Sequence, residues 1–265
     1  MIIFFDIDGT LIGGGTQLMS ESTKEAIRRA RKNGHICMIN TGRARKLVGP
    51  EITGQVEFDG YLLGCGTMVV YHDEILMHHR LSKDLCVRIL DGLKRYEIDA
   101  IMEGAWDNYC ENPKDMYTET FAKYISRYEE AYEGKAYSEL KDAPGNFDKF
   151  FAYVDEKGKM EAFRAEFEAE LDFIDRENGY YEVVPKGFSK ATAIQFIADA
   201  LNIPLEETVA IGDSNNDLAM LKYAHTSIAM GNSSKAVLEM ADYVTTDVTE
   251  DGIWNALKWL GVLEK

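Results

Sequence analysis

Residues 1–11 read MIIFFDIDGTL, and the fold follows from this stretch. Ile2, Ile3, Phe4 and Phe5 form an unbroken apolar run, short enough for one buried strand and continuous in the way parallel strands are. The run ends in Asp6-Ile7-Asp8-Gly9-Thr10. Residues i and i+2 of an extended chain face the same way, which predicts two carboxylates side by side just past the strand. Two like charges so placed repel unless a cation or a shared proton relieves them. Gly9 then lets the chain turn away without a Cβ in its path. In an open α/β sheet, the carboxyl end of a buried strand is the edge where ligands bind.

A chain of 265 residues has room for a core domain and a smaller second one. Its 46% apolar and 28% charged residues are ordinary for a globular protein. The formal charge of −16 without a basic cluster argues against nucleic acid or an anionic membrane as partner. Cys37, Cys65, Cys86 and Cys110 contain no CxxC, so reduced thiols are expected rather than disulfides or a zinc site. The four-residue apolar run before Asp6, with no basic residue ahead of it, is too short for a signal peptide or a membrane span. A cytoplasmic protein, monomeric or weakly dimeric, is expected.

Further along, Ser22-x-x-Glu25 reads as a capping box with Ser20 as its rival, opening a helix that Gly34 stops. Residues 35–39, HICMI, read as a second strand, completing a βαβ step. Its tip is Asn40-Thr41-Gly42-Arg43, where a Thr hydroxyl and backbone N–H groups suit a phosphate oxygen. Residues 61–63 form another strand, and 68–71 with 75–78 a hairpin.

From about residue 81 the pattern changes. Helical stretches at 82–96, 116–132 and 159–171 separate aromatic-rich strands at 100–103, 108–110, 147–154, 173–175 and 180–184. Asn178-Gly179 is a strong hairpin turn between the last two. The chain therefore divides into a core of residues 1–80 and 186–265 and an inserted α+β domain of residues 81–185.

Regularity returns at residue 186. Ser189 or Thr192 caps a helix running to about Leu201, which puts Lys190 in its first turn, against the helix macrodipole. On that basis Lys190→Met should leave stability unchanged or slightly raised. Residues 208–211 form the next buried strand, and its tip, Gly212-Asp213-Ser214-Asn215-Asn216-Asp217, carries more polar groups than a structural turn needs. Strands at 226–229, before Met230-Gly231-Asn232, and at 243–245 complete the series. The tips bearing Asp6 and Asp8, Thr41, Asp213 and Asn232 meet at one edge of a doubly wound sheet. Three carboxylates with Lys190, and neither His nor Cys at hand, favour Mg²⁺ over zinc.

Asp6-x-Asp8-Gly9-Thr10, Thr41-Gly42-Arg43, Lys190 and Gly212-Asp213-x-x-Asn216-Asp217 resemble the four motifs of the haloacid dehalogenase superfamily, in order and across nearly the whole chain. The long insertion between the second and third resembles the C2 cap type, specifically the Cof-like sugar-phosphate phosphatases. Two positions depart from that pattern: Ala191 stands where Gly commonly follows the Lys, and Gly64-Cys65-Gly66 replaces an Asn-Gly. The resemblance implies a Rossmann-like parallel sheet, Mg²⁺ as cofactor and a small phosphorylated metabolite as substrate. It makes Asp6 the nucleophile and Asp8 the general acid, then base. It implies that Asp6, the Asp8 carbonyl and Asp213 hold the metal. Gly9, Thr41, Gly42, Arg43, Lys190 and Asn216 would contact phosphate or substrate, with Asp217 orienting Lys190.

Two other functions compete with a phosphatase. A phosphomutase of the same fold, like the phosphomannomutases, needs insertion residues that hold a bisphosphate, and bidentate Arg suits that task. Arg88, Arg95, Arg127, Arg164 and Arg176 are the candidates, most of them on helices with acidic neighbours. A non-catalytic phospho-ligand-binding protein has no need of the second carboxylate, Asp8.

Overall fold

The computed structural model describes residues 1–13, 15–131, 136–142 and 145–264. Two compact units are present: Met1–Gly42 with Val48–His78 and Ser189–Lys265, and Arg43–Leu47 with His79–Phe188.

The first unit carries strands β1 (Ile2–Phe5), β2 (Ile36–Asn40), β3 (Gly60–Leu63), β4 (Met68–Tyr71) and β5 (Glu74–His78). Six further strands belong to the second unit: β6 (Asp99–Glu103), β7 (Asn108–Cys110), β8 (Ser138–Glu139), β9 (Lys149–Tyr153), β10 (Leu171–Asp175) and β11 (Tyr180–Pro185). The chain then returns to the first unit for β12 (Thr208–Gly212), β13 (Thr226–Ala229) and β14 (Tyr243–Val244).

The first unit's sheet has the order β14-β13-β12-β1-β2-β3-β4-β5. It is parallel from β14 to β3, while β4 and β5 add an antiparallel hairpin. β1 lies at its centre because every residue from Ile2 to Phe5 is fully buried, each contributing roughly 1.5–3 kcal/mol of apolar burial. Ile2 and Phe4 pack with Ala193, Ile194 and Ile197 of the helix Lys190–Leu201. Ile3 and Phe5 point to the opposite face. The helices Glu21–Lys32 and Gly252–Trp259 pack on each other, with Ala26, Ile27, Ile253 and Leu257 buried. The chain leaves β1 toward β2 on one side and resumes at β12 on the other, so the topological switch point lies between β1 and β12.

The second unit's sheet runs β10-β11-β9-β6-β7-β8. One face bears Met102, Phe150, Ala152 and Val183 against Ile89 and Leu93 of the helix Lys83–Arg95 and Phe163 and Phe167 of the helix Lys157–Phe167. The other bears Ile101, Cys110 and Tyr153 against Phe121 and Ile125 of the helix Glu119–Ala131.

Several boundaries differ from the sequence expectation. Ser20, not Ser22, caps the first helix, its side chain accepting from the Thr23 N–H. The helix expected over 159–171 starts at Lys157 and ends at Phe167, and Leu171 already belongs to β10, pairing with Pro185. Its apolar side chain fits either periodicity, and the ladder to β11 decides. The helix expected from residue 116 starts at Glu119, and its expected end, Tyr132, lies outside the described residues. β8 was not legible, since two residues carry no period. None of the four cysteines, all buried, forms a disulfide. Among the described residues no helix is long and apolar enough to cross a membrane.

Candidate active site

β1 ends at Phe5, and the Asp6 N–H continues the ladder by donating to the Ile211 carbonyl at 3.0 Å. Asp6 is 4% exposed. The chain does not stay extended after it: the N–H groups of Thr10, Leu11 and Ile12 all donate to the Ile7 carbonyl. The i, i+2 argument for a shared face therefore does not apply. Asp8 is exposed on this turn while Asp6 is buried, yet Asp8 is near enough for its charge to act on the Asp6 carboxyl.

Gly9 has φ +83°, and a Cβ there would collide with the Asp213 carboxylate. Its N–H donates to the Ile12 carbonyl at 2.8 Å. The Gly9 N–H is thus engaged within the turn, and the missing Cβ leaves room for Asp213. Thr10, to which no role was assigned from sequence, donates its hydroxyl to Asp213 Oδ1 at 3.0 Å.

Lys190 is the centre of the cluster. Ser189 and Thr192 cap each other to start its helix, and the Lys190 side chain turns inward, 1% exposed. Its Nζ donates to Asp6 Oδ1 at 2.7 Å and to Asp217 Oδ1 at 2.6 Å. Two buried carboxylates outweigh the macrodipole that opposes a cation in the first turn. Burial works against the ammonium, but Asp217 and Asp6 overcome it and hold its pKa above the ordinary value. Asp217 Oδ2 accepts from the N–H groups of Asp213 and Ser214, both at 3.0 Å, so the turn after β12 wraps around this carboxylate.

One oxygen each of Asp6, Asp213 and Asp217 lies within 4.8 Å of the others. Asp217 has committed both of its oxygens, whereas Oδ2 of Asp6 and Oδ2 of Asp213 accept no hydrogen bond among the described residues. Burial first, then Asp217 and Asp8, raise the Asp6 carboxyl to about 7 against the opposing pull of Lys190. Burial, Asp6 and Asp217 raise Asp213 to about 8. Two uncapped carboxylate oxygens with raised proton affinity, in an all-oxygen donor set, fit a hard divalent cation such as Mg²⁺.

Thr41 is buried at the tip of β2, its N–H donating to the Leu62 carbonyl at 2.9 Å. Gly42 follows it, half-buried. Asn40, also missed from sequence, donates Nδ2 to the Lys190 carbonyl at 3.0 Å and ties β2 to the helix bearing the lysine. Asn216 is buried, with Oδ1 accepting from the Ser214 hydroxyl at 2.6 Å. Asn232 bridges two loops, donating to the Gly9 carbonyl and accepting from the Val248 N–H. Arg43 groups with the other unit, where Nη1 donates to the Leu47 carbonyl at 3.2 Å. Cys65, in place of an Asn, takes a left-handed φ of 53° and is fully buried, so it forms no exposed rim.

A parallel sheet whose switch point gathers buried carboxylates around one lysine is the frame of an enzyme rather than of a binding module. The chain belongs to the haloacid dehalogenase-like hydrolase family, whose model matches residues 3–257. It is similar to YkrA of Bacillus subtilis, 30% identical over 270 residues covering 99% of this chain and 98% of that protein. It also resembles Phosphatase YwpJ of the same organism, 27% identical over 291 residues covering 98% and 99%. Among solved structures it shares the fold of BT4131, described as a subclass IIB sugar phosphatase, with TM-score 0.83, 24% identity and coverage of 98% and 99%.

Proposed function

We propose that the chain is a Mg²⁺-dependent phosphatase that hydrolyses small phosphate monoesters, sugar phosphates foremost, through an aspartyl-phosphate on Asp6. The observation that carries this reading is Lys190, buried between Asp6 and Asp217 with Asp213 beside them. A carboxylate paired with a buried ammonium is a nucleophile placed where phosphoryl charge will be neutralised. Asp6 and Asp213, with the Asp8 carbonyl, would hold Mg²⁺, whose contribution when bound is Lewis-acid neutralisation of the phosphoryl oxygens.

In the first half-reaction an Asp6 oxygen attacks phosphorus, the ester P–O bond breaks, and Asp8 gives its proton to the leaving alcohol. In the second, Asp8 as carboxylate takes a proton from water, the water oxygen attacks phosphorus, and the bond to Asp6 breaks to release inorganic phosphate. Exposure suits Asp8 to exchanging protons with water. The Thr41 hydroxyl, the Gly42 N–H and Asn216 supply polar contacts to the phosphate, and Asp217 holds Lys190 in place. Substrate choice falls to the insertion, residues 81–185. The phosphomutase reading is weakened, since Arg88, Arg95 and Arg176 are paired with Glu170, Glu166 and Glu182, and Arg164 lies over the Phe173 ring.

Replacing Asp8 by Asn keeps size and polarity but removes the transferable proton. The expected loss of kcat is about 10²–10⁴-fold, measured as phosphate release, and a loss below about threefold would remove Asp8 from the proton transfers.

Metal binding should be coupled to protons. Carboxyls near 7 and 8 are partly protonated at neutral pH and must ionise to bind a cation, so Mg²⁺ should displace on the order of one proton at pH 7. Titration calorimetry in two buffers of different ionisation enthalpy reads this number directly, and it should vanish above about pH 9. The same raised values mean that the folded, metal-free protein binds more protons than the unfolded chain between about pH 4 and pH 8, so its stability falls as pH rises through that window. Chelator should abolish turnover and Mg²⁺ restore it. Full turnover in chelator, with no proton release on adding Mg²⁺, would remove the metal from the reaction.

A further inference from the structure

A cleft of about 540 Å³, lined by Asp8, Thr16, Asn232, Asp247 and Thr249 among others, lies wholly on the first unit. That volume is in the range of small-molecule sites. Its walls are braced against each other. Asn232 Nδ2 donates to the Gly9 carbonyl at 2.8 Å, and its Oδ1 accepts from the Val248 N–H at 2.9 Å. One amide thus ties the turn that carries Asp8 to the loop that carries Asp247 and Thr249. Gly13 adds a second tie, since a Cβ there would collide with the Val248 side chain.

Asp247 is half-buried. Its Oδ1 accepts from the Thr249 N–H at 2.8 Å and from the Thr249 hydroxyl at 2.7 Å. Those two bonds hold its carboxyl below the usual carboxylate range, so it is ionised at neutral pH. Its Oδ2 accepts no hydrogen bond among the described residues. The charged residues that line the cleft are Asp8 and Asp247, and no Lys, Arg or His joins them among the described residues. The proton that Asp8 delivers goes to the ester oxygen, which must therefore lie within hydrogen-bond reach of Asp8. Whatever that oxygen carries begins at this cleft.

We propose that Asp247 is a specificity-determining residue whose Oδ2 accepts a hydrogen bond from the far end of the leaving alcohol. It selects an alcohol that ends in an ammonium or a hydroxyl over one that ends in an anion. An ammonium gains most, because a charge-assisted hydrogen bond is roughly twice as strong as a neutral one. A second anionic group would enter a cleft that holds two carboxylates and no cation, and is rejected by repulsion. The proposal rests on the phosphatase reading, and it gives the first unit its own share in the choice of substrate.

The test measures phosphate release from n-alkyl phosphates of about two to six carbons that end in an amino, hydroxy, methyl or carboxy group, with p-nitrophenyl phosphate as reference. At the best chain length, wild-type kcat/KM should fall in the order amino, hydroxy, methyl, carboxy, with amino above methyl by at least about tenfold. Asp247→Asn keeps an acceptor for Thr249 but removes the charge, and the amino-to-methyl ratio should drop about tenfold, mainly through KM. Asp247→Lys should invert the amino-to-carboxy ratio. Each reading is a ratio of two esters on one enzyme, so a general loss of stability or activity does not move it. Should neither variant fold, the wild-type ranking decides alone. Wild type indifferent to the end group, or ratios that both variants leave unmoved, would overturn the proposal, as would turnover of p-nitrophenyl phosphate with no alkyl ester accepted. Wild type silent on every ester, p-nitrophenyl phosphate included, overturns the phosphatase reading and this proposal together.

Discussion

Asp6→Asn should reduce phosphate release to background for every ester, a fall of at least about 10⁴-fold if Asp6 is the nucleophile. A carboxamide is too poor a nucleophile to form the acyl-phosphate, and Asp217, with both oxygens committed, is poorly placed to replace it. The fold should survive the change. Asp6 is a buried carboxyl raised to about 7, so above neutral pH a neutral amide of the same shape relieves repulsion from Asp217 and Asp8. The melting temperature at pH 8 without metal should hold or rise while activity disappears. Retention of more than about 1% of wild-type turnover would place the covalent step elsewhere.

Lys190→Met should damage both function and fold, contrary to what its first-turn position suggests. The ammonium touches Asp6 and Asp217, and removing the cation from between two buried carboxylates typically costs about 3–5 kcal/mol. For a chain of this size that lowers the melting temperature by roughly 10 °C. The deficit should narrow toward pH 5, where the stranded carboxyls take up protons. Loss of charge neutralisation at the phosphoryl group should cut kcat/KM by about 10²–10³. A melting temperature within a degree of wild type at pH 8 would mean that the ion pairs contribute little.

The two predictions differ because the two residues were legible to different degrees. Asp6 could be placed from residues 1–11 alone, since an apolar run buried on both faces admits one geometry and its end is a sheet edge. Lys190 could be placed on its helix but not oriented. Helical period assigned it to the first turn, and its direction depended on carboxylates 184 and 27 residues away in sequence. Thr10 and Asn40 were overlooked for the same reason, as each acts on an atom supplied by a distant segment. Asp8 shows the reverse: local extension puts it beside Asp6, but the chain turns on the Ile7 carbonyl and leaves Asp8 exposed.

The insertion follows the same division. Its alternating aromatics announced a sheet, and Asn178-Gly179 its hairpin, but nothing local linked Glu103, Lys149 and Glu182. The sequence by itself determined the parallel sheet, the order of the polar strand tips and the residue types available for chemistry, because period and turn residues are local properties. Only the tertiary structure decided which carboxylates share one ammonium and which keep an oxygen uncapped. Burial and Coulomb interaction depend on distance in space, and segments far apart in the chain set that distance.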